Sequence, residues 1–292
     1  MNSDNRLGEF LRARRELTRP EDLGFLDAGR RKVPGLRREE VAMLAGVSTD
    51  YYVRLEQGRE RHPSAQVLDA LASALRLEDD ARTHAHKLAQ PVPRRAATAG
   101  RIEKASPNLV RLLEKWAHTP ALVLGRYLDV LARNSLADAL YGGMTYSNNI
   151  MRLVFLDPAA REFYRDWALV SRATVAGLRA AVGADIDDPR LTSLVGELSL
   201  KSPEFRRLWA RHDVRGKTHA RKRFQHPLVG ELTLHYESFT VNSAPNQQLL
   251  VYQAEPASPS EQALLLLGSL TADPAKQHPR ERIPDPSGGD PA

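Results

Sequence analysis

Two hundred and ninety-two residues exceed one compact domain and suit two, each half being long enough to bury its own core. Lysine and arginine number 42 against 36 acidic residues, a net charge of +6 that is compatible with a polyanionic partner. Cysteine is absent, which excludes disulfides, a thiol nucleophile and cysteine-ligated zinc or iron–sulfur clusters. The amino terminus runs into charge, and the near-apolar stretches 120–125 and 263–267 are too short to cross a bilayer. A cytoplasmic protein with no membrane partner is expected.

The first ninety residues read as five helices. Leu7, Phe10, Leu11 and Leu17 keep helical spacing in a basic segment, followed by a glycine- and proline-rich loop over 20–35. A second helix is predicted from Arg37 to Gly46, and a third from the N-cap Ser48 to Gln57 and Gly58. A fourth follows Pro63 and Ser64, and a fifth fills 79–90. Pro91, Pro93 and a polar stretch then mark a boundary, giving domains at 1–92 and 106–270 with a linker at 93–105.

The second half mixes strands and helices. Residues 122–124 and 128–131 read as two strands around a tight turn at Gly125 and Arg126. Helices are predicted at 134–141, within 158–182, at 189–200, at 203–211 and at 260–270. Late strands are expected at 231–241 and 249–254, three being counted in all. Residues 271–292, rich in proline, read as a disordered tail.

Residues 36–58, LRREEVAMLAGVSTDYYVRLEQG, have the pattern of a helix-turn-helix. Ala42 is small where a second helix crosses, and Gly46 stands where the turn requires positive φ. Val47, Tyr52 and Leu55 form the inward stripe. Thr49, Asp50, Tyr51, Val53 and Arg54 then face outward near a helix start that suits a major groove. Arg30, Arg31, Lys32, Arg37, Arg38, Arg59 and Arg61 flank the motif, and the 30–32 run reads equally as a phosphate clamp or a solvated loop. Asp50 would repel phosphate, so it either accepts from a cytosine amine or caps the helix, with capping preferred. A helix-turn-helix buried in an enzyme core is the bland alternative.

This segment resembles the XRE family of phage-repressor type. The resemblance makes Arg38 a brace for phosphate and for the third helix, and Thr49, Asp50, Tyr51 and Arg54 base-edge readers beside the cap Ser48. The chain departs from that family at Arg38, more often glutamine, and at Tyr51, more often small. A wider resemblance, to the MmyB-like transcription regulators of actinobacteria, rests on LGEFLRARRELTRPEDLGF, VPGLRREEVAMLAGVSTDYYVRLEQGR, TPALVLGRYLDVLARNSLADALY, FLDPAAREFYRDW, GELSLKSPEFRRLWARHDV and KRFQHPLVGELTLHYE. It implies an N-terminal five-helix helix-turn-helix domain followed by a PAS-like antiparallel sheet with helices on one face. The ligand class it implies is fatty acid.

On that outline Trp116, Tyr164, Trp209 and Tyr236, with Trp167, are the aromatics available to line a pocket, each equally explicable as core. Asn134 matches the asparagine PAS domains place before their first helix, with a helix cap as its plainer role. Arg126, Arg206 and His212 are candidate carboxylate anchors by type. The basic cluster 201–226 is open to contact with DNA beside the operator or with an acidic partner, a solvated helix face and hairpin loop being preferred. Gly216, Lys217 and Thr218 imitate a phosphate loop but lack its earlier glycine, and His212, His219 and His226 lack a paired carboxylate for zinc.

The expected protein is therefore a non-enzymatic, homodimeric regulator binding double-stranded DNA, with no required cofactor and a small apolar effector such as a fatty acid. A constitutive DNA-binding protein whose second half dimerises or recruits a partner is one rival. A DNA-tethered enzyme using Asp157, His235 or Glu237 is the other.

Overall fold

The computed structural model describes residues 5–25, 35–90, 103–183, 188–214 and 219–272. Arg30, Arg31, Lys32, most of the expected linker and nearly all of the expected tail lie outside the described residues.

Five helices open the chain: α1 (Arg6–Leu17), α2 (Arg38–Ala45), α3 (Thr49–Glu56), α4 (Ala65–Ala74) and α5 (Asp79–Ala89). Each predicted helix is present within a residue or two. The Ser48 and Ser64 hydroxyls accept from the Tyr51 and Val67 N–H groups at 3.1 and 3.3 Å, satisfying donors that a helix start leaves orphaned. Gly46 ends α2 at φ 65°, as its place in the turn requires. Phe10, Leu36, Tyr52, Leu55 and Leu71 are fully buried together, and Ala42 lets α2 pack closely.

The second unit begins with α6 (Pro107–Glu114), then β1 (Ala121–Leu124), β2 (Val130–Arg133), α7 (Ser135–Leu140), α8 (Ile150–Leu156), α9 (Ala160–Phe163) and α10 (Trp167–Val182). There follow α11 (Pro189–Lys201), α12 (Pro203–Ala210), β3 (His219–His226), β4 (Gly230–Thr240), β5 (Gln248–Ala254) and α13 (Pro259–Ala272). The strands form one antiparallel sheet in the order β2-β1-β5-β4-β3. Strand alternation sends Leu122, Leu124, Leu232, Leu234, Leu250 and Tyr252 into the core beneath the helices. On the other face Ala121, Val123 and Val251 pack with Leu113 of α6, so this helix covers the sheet from the opposite side.

Two expectations change. Leu128 is not in a strand: it sits at φ 61° in the 125–129 connection, where Gly125 N–H donates to Asp129 O at 2.9 Å. Burying the Tyr127 and Leu128 side chains in the core wins over lengthening the strand. The end of the basic cluster is likewise the strand β3 rather than a loop, with Arg221 and Arg223 exposed and Phe224 and His226 buried.

The two units touch. Arg14 of α1 pairs with Asp213, just past α12, at 2.9 Å, and Val214 is buried in the N-terminal core. A cleft of about 230 Å³ lies beside this joint, between His84 and Lys87 of α5 and Gly177 and Ala181 of α10. Arg179 of α10 is buried, donating to Trp209 O at 2.7 Å and to His212 Nδ1 at 3.3 Å. Burial, then the charges of Arg179 and Lys87, push His84 down to about 4; burial, then Arg179, His84 and Arg14, push His212 down to about 3. Both are neutral in the fold and protonate near 6.5 when unfolded. Stability is therefore complete above that pH and falls as acid is added, down to about 4 for His84 and about 3 for His212. Urea unfolding across this range is expected to show the loss, and the His84→Gln, His212→Gln double variant to flatten it.

Candidate nucleic-acid interface and ligand domain

The orientation of α3 rests on Glu56, whose side chain is 1% exposed. Its carboxylate accepts from Arg15 Nε of α1 at 2.6 Å and from Arg38 Nε of α2 at 2.7 Å. Arg15 also donates to Leu36 O at 2.9 Å, so one guanidinium fixes the carboxylate and the chain entering α2. Burial alone would raise the Glu56 pKa, but hydrogen bonds from Arg15 and Arg38 hold it below the usual carboxylate range. Helix α1 comes close enough that a Cβ on Gly8 would stand 2.5 Å from the Glu56 carbonyl oxygen. Arg38 thus binds the third helix, while Arg15 and Glu56, its partners in that role, were missed; a buried charge leaves no mark in apolar periodicity.

The outward residues lie together on α3 and its entry. Thr49 and Asp50 are exposed and Tyr51 and Arg54 half-buried. Arg54 stands 5.8 Å over the Tyr51 ring and forms an ion pair with Asp50 one turn away. Asp50 does not cap the helix, contrary to expectation: Ser48 supplies the capping oxygen, leaving the Asp50 carboxylate to Arg54. Arg37 is half-exposed at the start of α2, Arg59 is exposed, and Arg61 donates to Gly58 O at 3.0 Å. All nine residues named for DNA lie on α2, α3 or their flanks.

The eight residues named for a ligand do not form one site. Trp116 packs on the α6 face of the sheet. Asn134 caps α7, its Oδ1 accepting from Ala137 N–H at 3.0 Å and its Nδ2 donating to Trp116 O and Thr119 O at 2.8 Å. Arg126 donates to Val182 O at 2.9 Å. Arg206 is exposed, because the inward side of α12 is taken by Phe205 and Leu208. Trp209 and His212 belong to the joint, with Arg179 4.0 Å from the Trp209 ring centre. Only Tyr164 and Tyr236 enter the sheet–helix core, where they meet Tyr141, Tyr252 and Lys222. Those three were missed, although Lys222 alternates with exposed arginines on β3.

Comparison with known families decides the larger question. The description "MmyB-like transcription regulator ligand binding domain" matches residues 105–267, more than half of the chain. The chain belongs to the MmyB-like transcription regulators. A helix-turn-helix domain matches residues 6–85. A comparison with curated proteins finds no match. The chain is thus a DNA-binding transcription regulator with a ligand-binding domain.

Within this MmyB-like chain the residues of the enzymatic alternative are scattered. Asp157 accepts from Tyr146 N–H and Ala159 N–H at 3.1 Å each, under the helices. His235 and Glu237 lie on the opposite face of the sheet, alternating with the inward Leu234 and Tyr236. His226 uses both ring nitrogens, at 3.1 Å to Ala139 O and 3.2 Å to Leu228 N. Among the described residues no helix is long and apolar enough to cross a membrane.

Glu56→Gln leaves Arg15 buried without its anion and should destabilise the helical unit by about 3 kcal/mol. The depressed pKa makes the wild-type contribution complete above the ordinary glutamate range and lost as pH falls through the folded value. Chemical denaturation should show the loss of stability and a weaker acid dependence in the variant; equal stability would remove Glu56 from its place as the organising group.

Proposed function

We propose that this regulator binds operator DNA as a cytoplasmic homodimer and that a small apolar ligand in its PAS-like domain, a fatty acid or similar effector, sets the disposition of the two heads. The reading needs no cofactor and no catalytic step. The observation that carries it is the joint: Asp213 binds Arg14 on α1, at 2.9 Å, and Arg211 next to α12, also at 2.9 Å. Helix α1 in turn holds Glu56 of α3 through Arg15. A displacement of α12 is thereby tied to the recognition helix. Paired heads read half-sites roughly 34 Å apart, so a small reorientation changes affinity steeply. The ligand must favour one disposition, since equal affinity for both shifts nothing.

In this reading Ser48, Thr49, Asp50, Tyr51 and Arg54 approach base edges, while Arg37, Arg38, Arg59 and Arg61 approach phosphate. Residues 1–92 act as the head, 93–105 as linker, 106–270 as sensor and 271–292 as tail. The sheet–helix core, one cluster of buried side chains, is what a second reading rests on, in which the domain only dimerises or recruits a partner.

Operator binding by fluorescence anisotropy tests both. Arg37→Ala and Arg59→Ala should weaken every sequence and flatten the log–log salt slope by about 0.9 each. Thr49→Ala and Tyr51→Ala should instead cost about 1–3 kcal/mol of discrimination at the base pair that each side chain reads. Affinity should differ between lipid-loaded and stripped protein, and Arg14→Ala should shrink that difference. Identical affinities would leave the constitutive reading.

A further inference from the structure

A polar cluster at the edge of the apolar core is not accounted for by the family match. Lys222, on the edge strand β3, donates to the Tyr252 hydroxyl at 3.0 Å. Its ammonium stands 4.8, 5.4 and 6.0 Å from the ring centres of Tyr236, Tyr252 and Tyr164. The Tyr252 hydroxyl is 2.8 Å from that of Tyr141. The Tyr164 hydroxyl, facing Tyr141, is buried and makes no hydrogen bond of ordinary length among the described residues. All four tyrosines are at least nine-tenths buried. Burial, offset in part by Tyr252 and Tyr164, pushes Tyr141 up to about 12, and burial holds Tyr164 and Tyr252 well above the usual phenol value, so these phenols keep their protons.

An ammonium beside protonated phenols offers positive charge and O–H donors together, which is the complement of a carboxylate. Around it the lining is apolar: Leu232, Leu234, Phe224 and Leu250 belong to the same buried cluster. Strand β3 is one of the two edge strands of the sheet, and Lys222 is half-buried there, so its side chain lies next to the sheet edge. Arg221 and Arg223 are exposed along that edge, Arg223 being held by both carboxylate oxygens of Asp166 at 2.6 and 2.8 Å, so Arg221 is the side chain that adds positive charge there.

Resting on the sensor reading above, we propose that Lys222, with the Tyr141 and Tyr164 hydroxyls, binds the carboxylate of an acidic amphiphile whose tail displaces side chains of the sheet–helix core. Selectivity for acid over neutral lipid then resides in Lys222 and not in Arg126, Arg206 or His212.

Calorimetric titration of the stripped full-length protein with dodecanoate and palmitate, each beside its matching alcohol, tests this. A charge-assisted contact predicts that the acid binds about tenfold or more tighter than the alcohol. Lys222→Met should erase that preference by weakening the acid far more than the alcohol, Lys222→Arg should keep it, and Tyr164→Phe should reduce it, with thermal melts checking the fold of each. Should Lys222→Met fail to fold, the Lys222→Arg and Tyr164→Phe pair carries the test. Equal binding of acid and alcohol by wild type, or a preference that survives Lys222→Met, overturns the anchor and leaves the sensor reading standing. Binding of neither probe overturns the sensor reading and the anchor with it.

Discussion

A carboxylate with 1% of its side chain exposed governs what the N-terminal helices present to solvent. Apolar burial brings α1, α2 and α3 together but has no direction, so by itself it leaves α3 free to settle at several rotations about its axis. Charge-assisted hydrogen bonds do have direction. Glu56 accepts from two helices at once, at 2.6 and 2.7 Å, and this fixes which side of α3 faces out. A buried ion pair contributes little net stability because desolvation offsets the attraction. What Glu56 supplies is a single orientation for Thr49, Tyr51 and Arg54.

The helical unit was legible because its signals are local. Apolar spacing, the Ser48 and Ser64 caps and Gly46 each mark a boundary within a few residues of sequence, and each does in the structure what its chemistry requires. Asp50 shows the limit of such reading: two polar residues near one helix start compete for the capping site, and only the fold shows that Ser48 takes it and Asp50 turns to Arg54. The sheet was legible as strands but not as a site. Tyr141 and Tyr164 follow the ends of α7 and α9, Tyr236 and Tyr252 lie on β4 and β5, and Lys222 on β3, so no spacing in the chain records their meeting. Arg126, Arg206 and His212 were equal to Lys222 by residue type. Only strand alternation on β3, which points Lys222 inward between Arg221 and Arg223, separates them.

The joint between the units has its own logic. Arg179 is 4% exposed and keeps its charge near the Trp209 ring, the Trp209 carbonyl and Asp213. Burial first, and then that charge, make protonation of His84 and His212 unfavourable, and His212 neutral is what allows its Nδ1 to accept from Arg179. Two neutral imidazoles and one guanidinium hydrogen-bonded to His212 and the Trp209 carbonyl can be buried where three cations could not. The small residues Gly177 and Ala181 let α10 lie beside the cleft next to α5.

These contacts form one physical chain. Phe155 of α8 packs edge-on against Phe205 of α12 at 5.3 Å within the ligand-domain core, and Phe205 stacks on Trp209 at 5.7 Å. Trp209 holds Arg179, Arg179 holds His212, and Asp213 next to it holds Arg14 of α1. Spatial continuity alone is not coupling; coupling requires that some element along the path have two arrangements that a ligand weights differently. Helix α12 is the element placed for this. Its inner residue, Phe205, lies in the core a ligand tail would have to enter, while its far end runs into the residues that grip the DNA-binding unit. In the proposed reading, a tail that parted Phe155 from Phe205 would act on the joint through α12, the helix that runs from the apolar core to the residues touching the DNA-binding unit.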